Sequence, residues 1–351
     1  MSPHFPGERF PQEYLAFETP GPQQNFFGYY DKSPMDRDGT RLLALNTACR
    51  RPLPGEGGVN DTADVGFWSL HKKTFHKLAD TRAFNWQQGA MLQWLGPDFS
   101  RFIIFNDRQE AQGQARFISR IIDTHTQTER FLPLPVYAVH PQGRFALSLD
   151  FERFYFPRRP YAYGGIVRAQ KDVAIQAGDG IFRLDLETGA ARLILETRQL
   201  AEREPVPAMA GATHYLEHMT FSPSGERFFF YHRFTLPHGG IYTRLYTARS
   251  DGEDLRLLVD SGQTTHAAWI DEKRIVFFGA PAGARAKLRA APLAAHGLLQ
   301  PLRRFYRRFL GPLGAGRLLT GSGYRIIADA EGRVQEMNRV AEQLTVVKSS
   351  G

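Results

Sequence analysis

Five times along the chain a turn rich in Pro, Asp, Ser or Gly leads through a basic residue into an apolar run. The copies are Ser33–Leu45, Gly96–Phe105, His140–Leu149, Ser222–Tyr231 and the more degenerate Ile270–Phe278. Each is followed by a second strand-like segment that ends in a polar turn, at 67–74, 117–128, 181–189, 244–252 and 324–332. The turn residues set the backbone angles of a hairpin, and a short apolar run after them reads as a strand buried between neighbouring sheets. Such units cannot bury both faces alone, so they stack around an axis. The pattern predicts an all-β chain, a single β-propeller domain over residues 1–351. Uneven spacing between copies predicts loop insertions on one face.

Two segments break the rhythm. Ala191–Met209 turns polar after its first residues and reads as an inserted loop or short helix. In Leu293–Leu310, residues Leu298, Leu302, Phe305, Phe309 and Leu310 fall near one helical face, with Arg303, Arg304, Arg307 and Arg308 on others. That predicts a helical insertion, either lying peripherally on an anionic membrane surface or simply solvated on its basic side. After Leu344–Lys348 the chain stops at Gly351, where another blade is due. The expectation is a missing C-terminal blade, or else ring closure through residues 1–30, because an open sheet edge invites aggregation.

Composition adds bounds. Hydrophobic residues make up 42% and aromatic residues 13%, enough for a sizeable core. Met1–Phe10 lacks a basic segment followed by an apolar run, so no secretory signal is read. No window approaches the ~18 apolar residues of a membrane span. One cysteine, Cys49, makes no internal disulfide and fits a reducing compartment, so a cytoplasmic location is expected. A net charge of +8 suits a polyanionic partner or plain solubility. The cations are scattered, which speaks against nucleic acid, and no glycine cluster has the order of a phosphate-binding loop.

The chemically dense phrases precede the repeats. They are Asn25–Pro34, Asn85–Trp94, His214–Phe221 and Thr265–Trp269, while Phe105–Arg108 and His232–Arg233 close strands. Residues just before the innermost strands of successive blades converge on one end of the channel. Tyr29, Tyr30, Asp31, Gln87, Gln88, His214, His218 and His266 are therefore expected to share a funnel, with His232 and Arg233 at the far end of their strand or in the loop beyond. Each also has a plainer reading. A histidine in a strand can be a satisfied structural residue, the Trp86 and Trp94 cluster can be core, and Asp31 and Asp150 can cap turns.

The phrases Asn25-Phe-Phe-Gly-Tyr-Tyr-Asp-Lys-Ser-Pro34 and Asn85-Trp-Gln-Gln-Gly-Ala-Met-Leu-Gln-Trp94, with His214-x3-His218-x2-Phe-Ser-Pro, resemble a bacterial propeller family associated with surface polysaccharides, over about residues 22–280. More distantly the chain resembles the oligogalacturonate lyases, seven-bladed propellers acting on uronic-acid glycans. That likeness implies seven blades, with His232 and His266 as ligands of a divalent metal such as Mn or Ca and His218 as the general base. The acidic residue after the lyase strand-end histidine is Arg233 here, and the lyases' later His/Gln cluster has no counterpart before Gly351.

β-Elimination from a uronate needs its carboxylate neutralised, by a metal or by a clamp such as Arg233, together with a base and an acid. The expected catalytic set is His218, His214, Tyr30, Tyr29 and Arg233. The expected substrate-binding set is Asp31, Lys32, Trp86, Gln87, Gln88, Asn106 and Arg108, with Trp86 stacking on a sugar face. The sequence thus points to a lyase for an acidic bacterial polysaccharide. The alternatives are a propeller that binds glycan or scaffolds polysaccharide assembly without chemistry, and a membrane-surface scaffold that uses the Arg-rich helix.

Overall fold

The computed structural model describes residues 18–56, 60–111, 113–166, 173–236, 240–279, 323–330 and 338–339. Within them the chain forms five four-stranded antiparallel sheets, each a simple meander in sequence order. The first contains β1 (Gln24–Phe26), β2 (Arg41–Thr47), β3 (Ala63–Ser69) and β4 (Thr74–Thr81). The second contains β5 (Gln93–Trp94), β6 (Phe102–Ala111), β7 (Gln114–Asp123) and β8 (Glu129–Leu132). The third contains β9 (Ala138–Val139), β10 (Phe145–Ser148), β11 (Gly180–Asp185) and β12 (Ala191–Glu196). The fourth contains β13 (His214–Phe221), β14 (Arg227–Thr235), β15 (Ile241–Arg249) and β16 (Arg256–Val259). The fifth contains β17 (Thr264–Trp269), β18 (Arg274–Gly279), β19 (Gly323–Ala328) and β20 (Asn338–Arg339).

Strand alternation explains how the sheets stack. In β14, Phe228 and Phe230 belong to the core shared with the second and third sheets, while Phe229 and Tyr231 belong to the core shared with the fifth. A strand apolar on both faces is what a blade between two others requires. The first and second sheets are joined in the same way by Leu43, Leu45, Val65, Trp94, Ile103 and Phe105. The stack also bends back on itself, because the Tyr30 hydroxyl, just after β1, lies 3.4 Å from the Ala267 carbonyl of the fifth sheet. The architecture is a β-propeller.

The repeated basic residue has a structural use. Arg41 sits 4.7 Å over the Trp94 ring of the next blade and donates to the Ser100 carbonyl. Arg227 pairs with Asp254 and with Asp329 of the fifth sheet. Part of the chain's positive charge is thus spent joining blades.

Several expectations are refined. The repeated run is the second strand of each sheet, and the chemically dense phrase before it supplies the first. Ala191–Glu196 is the outer strand β12, and only Thr197–Glu202 forms a helix, α1. Residues 24–26 pair with β2 in the first sheet. The basic segment 293–310 and the C-terminal run 344–348 lie outside the described residues. No helix among the described residues is long and apolar enough to cross a membrane.

Candidate functional site

Two breaks in strand pairing create the site. The β13–β14 register shifts between Glu217 and Thr220, and the β17–β18 register shifts between Thr265 and Ala268. His218 (φ 57°) and His266 (φ 49°) occupy these bulges in left-handed backbone conformation. Non-glycine residues adopt that region where the surroundings hold them there, and such positions concentrate at functional sites. A bulge also re-aims the side chain it carries.

The loop after β1 brings two tyrosines to these histidines. Its backbone runs so close to the second blade that a Cβ on Gly28 would meet the Gln88 carbonyl at 2.8 Å, and one on Gly89 (φ 61°) the Phe27 carbonyl at 2.2 Å. Beyond this contact the Tyr29 ring meets His218 edge-on at 5.1 Å and Tyr30 at 4.5 Å. Tyr30 reaches His266 at 5.8 Å. Tyr161, from the 3-10 turn Arg159–Tyr161, and Tyr231 of β14 close around His218 at 5.8 and 5.2 Å. Tyr30 remains 51% exposed, so the cluster opens to solvent through it. Burial, and for Tyr29 its coupling to Tyr161, pushes both phenol pKa values up. These hydroxyls keep their protons at neutral pH.

Beneath the rings lies a buried charge cluster. The Glu217 carboxylate is fully buried, pairs with Arg233, and lies 3.4 Å from the Arg158 Nε and 3.4 Å from the His218 Nδ1. Burial alone would raise its pKa, but Arg233, His218 and Arg158 together hold it down to about 2. The His218 Nε2 has no hydrogen-bond partner among the described residues. Two guanidinium groups therefore share one carboxylate and leave a positive surplus. Arg158 and Arg233 also line a cleft of about 260 Å3 with Thr243, Gln263, Thr264 and Thr265, where the fourth and fifth blades meet. Nearby, Lys32 and Asp31 neutralise each other at 2.8 Å, and the Lys32 ammonium lies 5.5 Å from the Tyr137 ring.

The residues singled out from the sequence distribute as follows. Tyr29, Tyr30, His218 and His266 come together, and Arg233 joins them through Glu217. His214 does not: its ring stacks on His232 at 5.1 Å, with Nδ1 2.9 Å from the His232 Nε2. Both are buried, and burial lowers both pKa values, for His232 with help from His214 and Arg244. They form a neutral packing pair. Gln88 is buried and donates to the Tyr137 hydroxyl at 2.6 Å, whereas Gln87 is exposed. Trp86 packs on Phe26 and donates to the Arg51 carbonyl. Asn106 is buried among bonds to Val136 and Tyr163, and Arg108 binds Asn60 and the Gly164 carbonyl. Both serve the packing of blade loops.

Among the described residues the metal implied by the lyase likeness finds no matching donor set. His232 is enclosed by His214, Phe234 and Tyr246, while His266 is exposed beside Tyr30. Among the described residues no three His, Cys, Asp or Glu side chains are grouped to hold an ion. Four side chains of the cluster were not singled out from the sequence: Glu217, Arg158, Tyr161 and Tyr231. Glu217 stood inside a quoted phrase, but only the bulge fixes where it points.

The fold is a β-propeller, with a histidine–tyrosine–arginine cluster where the first, fourth and fifth blades approach one another. No protein-family profile matches the chain, and no curated protein does. Among solved structures, the chain is similar to an oligogalacturonate lyase from Vibrio parahaemolyticus, at 13% identity and TM-score 0.45, covering 77% of this chain and 62% of that one. It is also similar to the propeller domain of the trilobed protease from Pyrococcus furiosus, at 15% identity and TM-score 0.40, covering 74% and 64%. An acylaminoacyl peptidase from Pyrococcus horikoshii follows at 9% identity and TM-score 0.38, covering 71% and 32%. The chain thus spans less than two thirds of each of these proteins. Their named activities differ and remain theirs.

Proposed function

We propose that the axial cluster binds an acidic glycan and cleaves it by β-elimination. The observation that carries this reading is His218. Its strained bulge holds an imidazole whose Nδ1 is beside a buried carboxylate and whose Nε2, though buried, has no hydrogen-bond partner among the described residues, within a ring of tyrosines and next to paired arginines.

The roles follow from the chemistry. The surplus charge of Arg158 and Arg233 receives the sugar carboxylate and makes the adjacent C5 proton more acidic. His218 takes that proton at Nε2, and Glu217 stabilises the imidazolium that forms. The electron pair becomes the C4–C5 double bond, and the C4–oxygen bond breaks. The leaving oxygen takes a proton from Tyr29 or Tyr30, whose raised pKa values suit a donor and not a phenolate base. Proton return from His218 to the tyrosine closes the cycle. The exposed Tyr30 ring offers a face for the neighbouring sugar.

The test is incubation with polygalacturonate, alginate and glucuronate-containing polysaccharides, read by the ultraviolet absorbance of unsaturated uronate. The reading expects a linear rise with at least one polymer. Salt-sensitive binding of all the polymers with no absorbance change would replace the lyase with a glycan-binding propeller, since screened attraction needs no chemistry. Arg158→Gln separates the charge contribution. It is expected to weaken binding of an oligouronate about tenfold or more, the worth of roughly 1.5–3 kcal/mol for a hydrogen bond to a charged group, and to flatten its salt dependence. Unchanged affinity in a calorimetric titration would remove Arg158 from the site.

A further inference from the structure

The two bulges that carry His218 and His266 are held by the same device. The buried Tyr137 hydroxyl, just before β9 of the third blade, accepts the His218 amide of the fourth at 2.9 Å. The buried Tyr231 hydroxyl, in the fourth blade, accepts the Ala267 amide of the fifth at 3.1 Å, immediately after His266. In each case a tyrosine from one blade captures the bulge amide of the next, where the ladder carbonyl that would otherwise receive it is displaced by the register shift. The Tyr137 hydroxyl also accepts Gln88 Nε2 at 2.6 Å, so a single oxygen ties the second, third and fourth blades together.

We infer that Tyr137 and Tyr231 are positioning residues, which hold His218 and His266 in left-handed backbone conformation and thereby aim both imidazoles at the axis. The physical need is plain. A buried amide without an acceptor is costly, and a non-glycine residue stays at positive φ only while its surroundings over-determine it. Without the phenol oxygen, the bulge amide can be satisfied only by returning toward regular pairing, which turns the histidine away. Tyr231 serves twice, because its ring also flanks His218 at 5.2 Å. Gln88, singled out from the sequence as a sugar ligand, acts in this arrangement as a brace for Tyr137.

The test replaces each tyrosine by phenylalanine, which keeps the ring and removes the acceptor. In Tyr137→Phe, the His218 amide should exchange with solvent at least about fivefold faster, the weight of one buried hydrogen bond, and the His218 Cε1–Hε1 NMR signal should move while that of His266 stays. Tyr231→Phe should do the reverse, with faster exchange at Ala267 and a shifted His266 signal. Tyr163→Phe, which loses a buried bond from Asn106, should leave both histidines unmoved. Unchanged exchange and shift at the paired histidine, or acceleration spread evenly over the whole sheet, would overturn the inference. If Tyr137→Phe does not fold, the Tyr231→Phe result decides. The kinetic arm rests on the lyase reading: kcat should fall in Tyr137→Phe with KM near that of the parent. Absence of cleavage in the parent protein would defeat that reading while leaving the NMR test intact.

Discussion

Glu217→Ala unfolds at markedly lower denaturant than the parent protein, with a loss of about 3–5 kcal/mol, the range found when one partner of a buried ion pair is removed. The carboxylate is fully buried and is the counter-charge for Arg233 and Arg158. Arg233 is itself nearly inaccessible, so its charge has no water to turn to once the partner is gone. Glu217→Gln keeps the shape and should lose nearly as much. A second change, Arg233→Met, made on Glu217→Gln should recover part of the loss, because it removes the stranded charge. Urea denaturation at constant slope reads each value. The pH dependence has a definite sign. The folded pKa lies near 2 against an ordinary value of 4.5, so this contribution is present above about pH 4.5 and is lost as the pH falls toward 2. In Glu217→Gln that acid-limb loss should be correspondingly smaller. Equal stability of Glu217→Ala and parent would mean that the cluster is not closed as described.

His218→Ala is expected to reduce cleavage of an acidic polysaccharide by about 10²–10⁴-fold, the usual contribution of a positioned acid or base, with binding nearly unchanged. The separation is the informative part. Arg158 and Arg233 line the cleft and carry the attraction for a carboxylate, whereas His218, beside the Glu217 that both arginines share but not lining the cleft, handles the proton. His214→Ala provides the contrast. That residue stacks on His232 within the fourth blade, away from Tyr29 and Tyr30, so its loss should lower stability and leave kcat near that of the parent. Parallel kinetics and oligouronate titrations on the two variants check both statements. Full cleavage by His218→Ala would remove the base from this account.

What the sequence conveys well is what turns and alternation encode. Pro97, Gly143 and Pro223 mark the hairpins, and the Phe228–Tyr231 run announces a strand apolar on both faces. The arrival of Tyr29, Tyr30, His218 and His266 at one place follows from equivalent positions in successive blades. The rest depends on structure that leaves no local mark. Neither bulge contains a glycine, so nothing in His214–Phe221 shows that alternation breaks after Glu217 and sends that carboxylate beneath the rings. His214 reads as a funnel residue from its place before the repeated run, and His232 as a strand-end residue, yet pairing of β13 with β14 turns them onto each other. Arg158 precedes and Tyr161 ends the 3-10 turn Arg159–Tyr161 in the long connection between β10 and β11, outside any repeat. Asn106 and Arg108 read from the sequence as closing a strand, but β6 runs on to Ala111, and their partners are carbonyls and side chains of neighbouring loops.

The claim that the axial cluster performs elimination, and not hydrolysis or binding alone, is tested most directly by cleaving an acidic polysaccharide in H2¹⁸O and weighing the products. Elimination predicts new non-reducing ends that are unsaturated and fragments lighter by one water than those of hydrolysis, with ¹⁸O entering only at the exchangeable oxygen of the new reducing ends. Saturated fragments of hydrolytic mass, or a polymer recovered intact while bound, would contradict it.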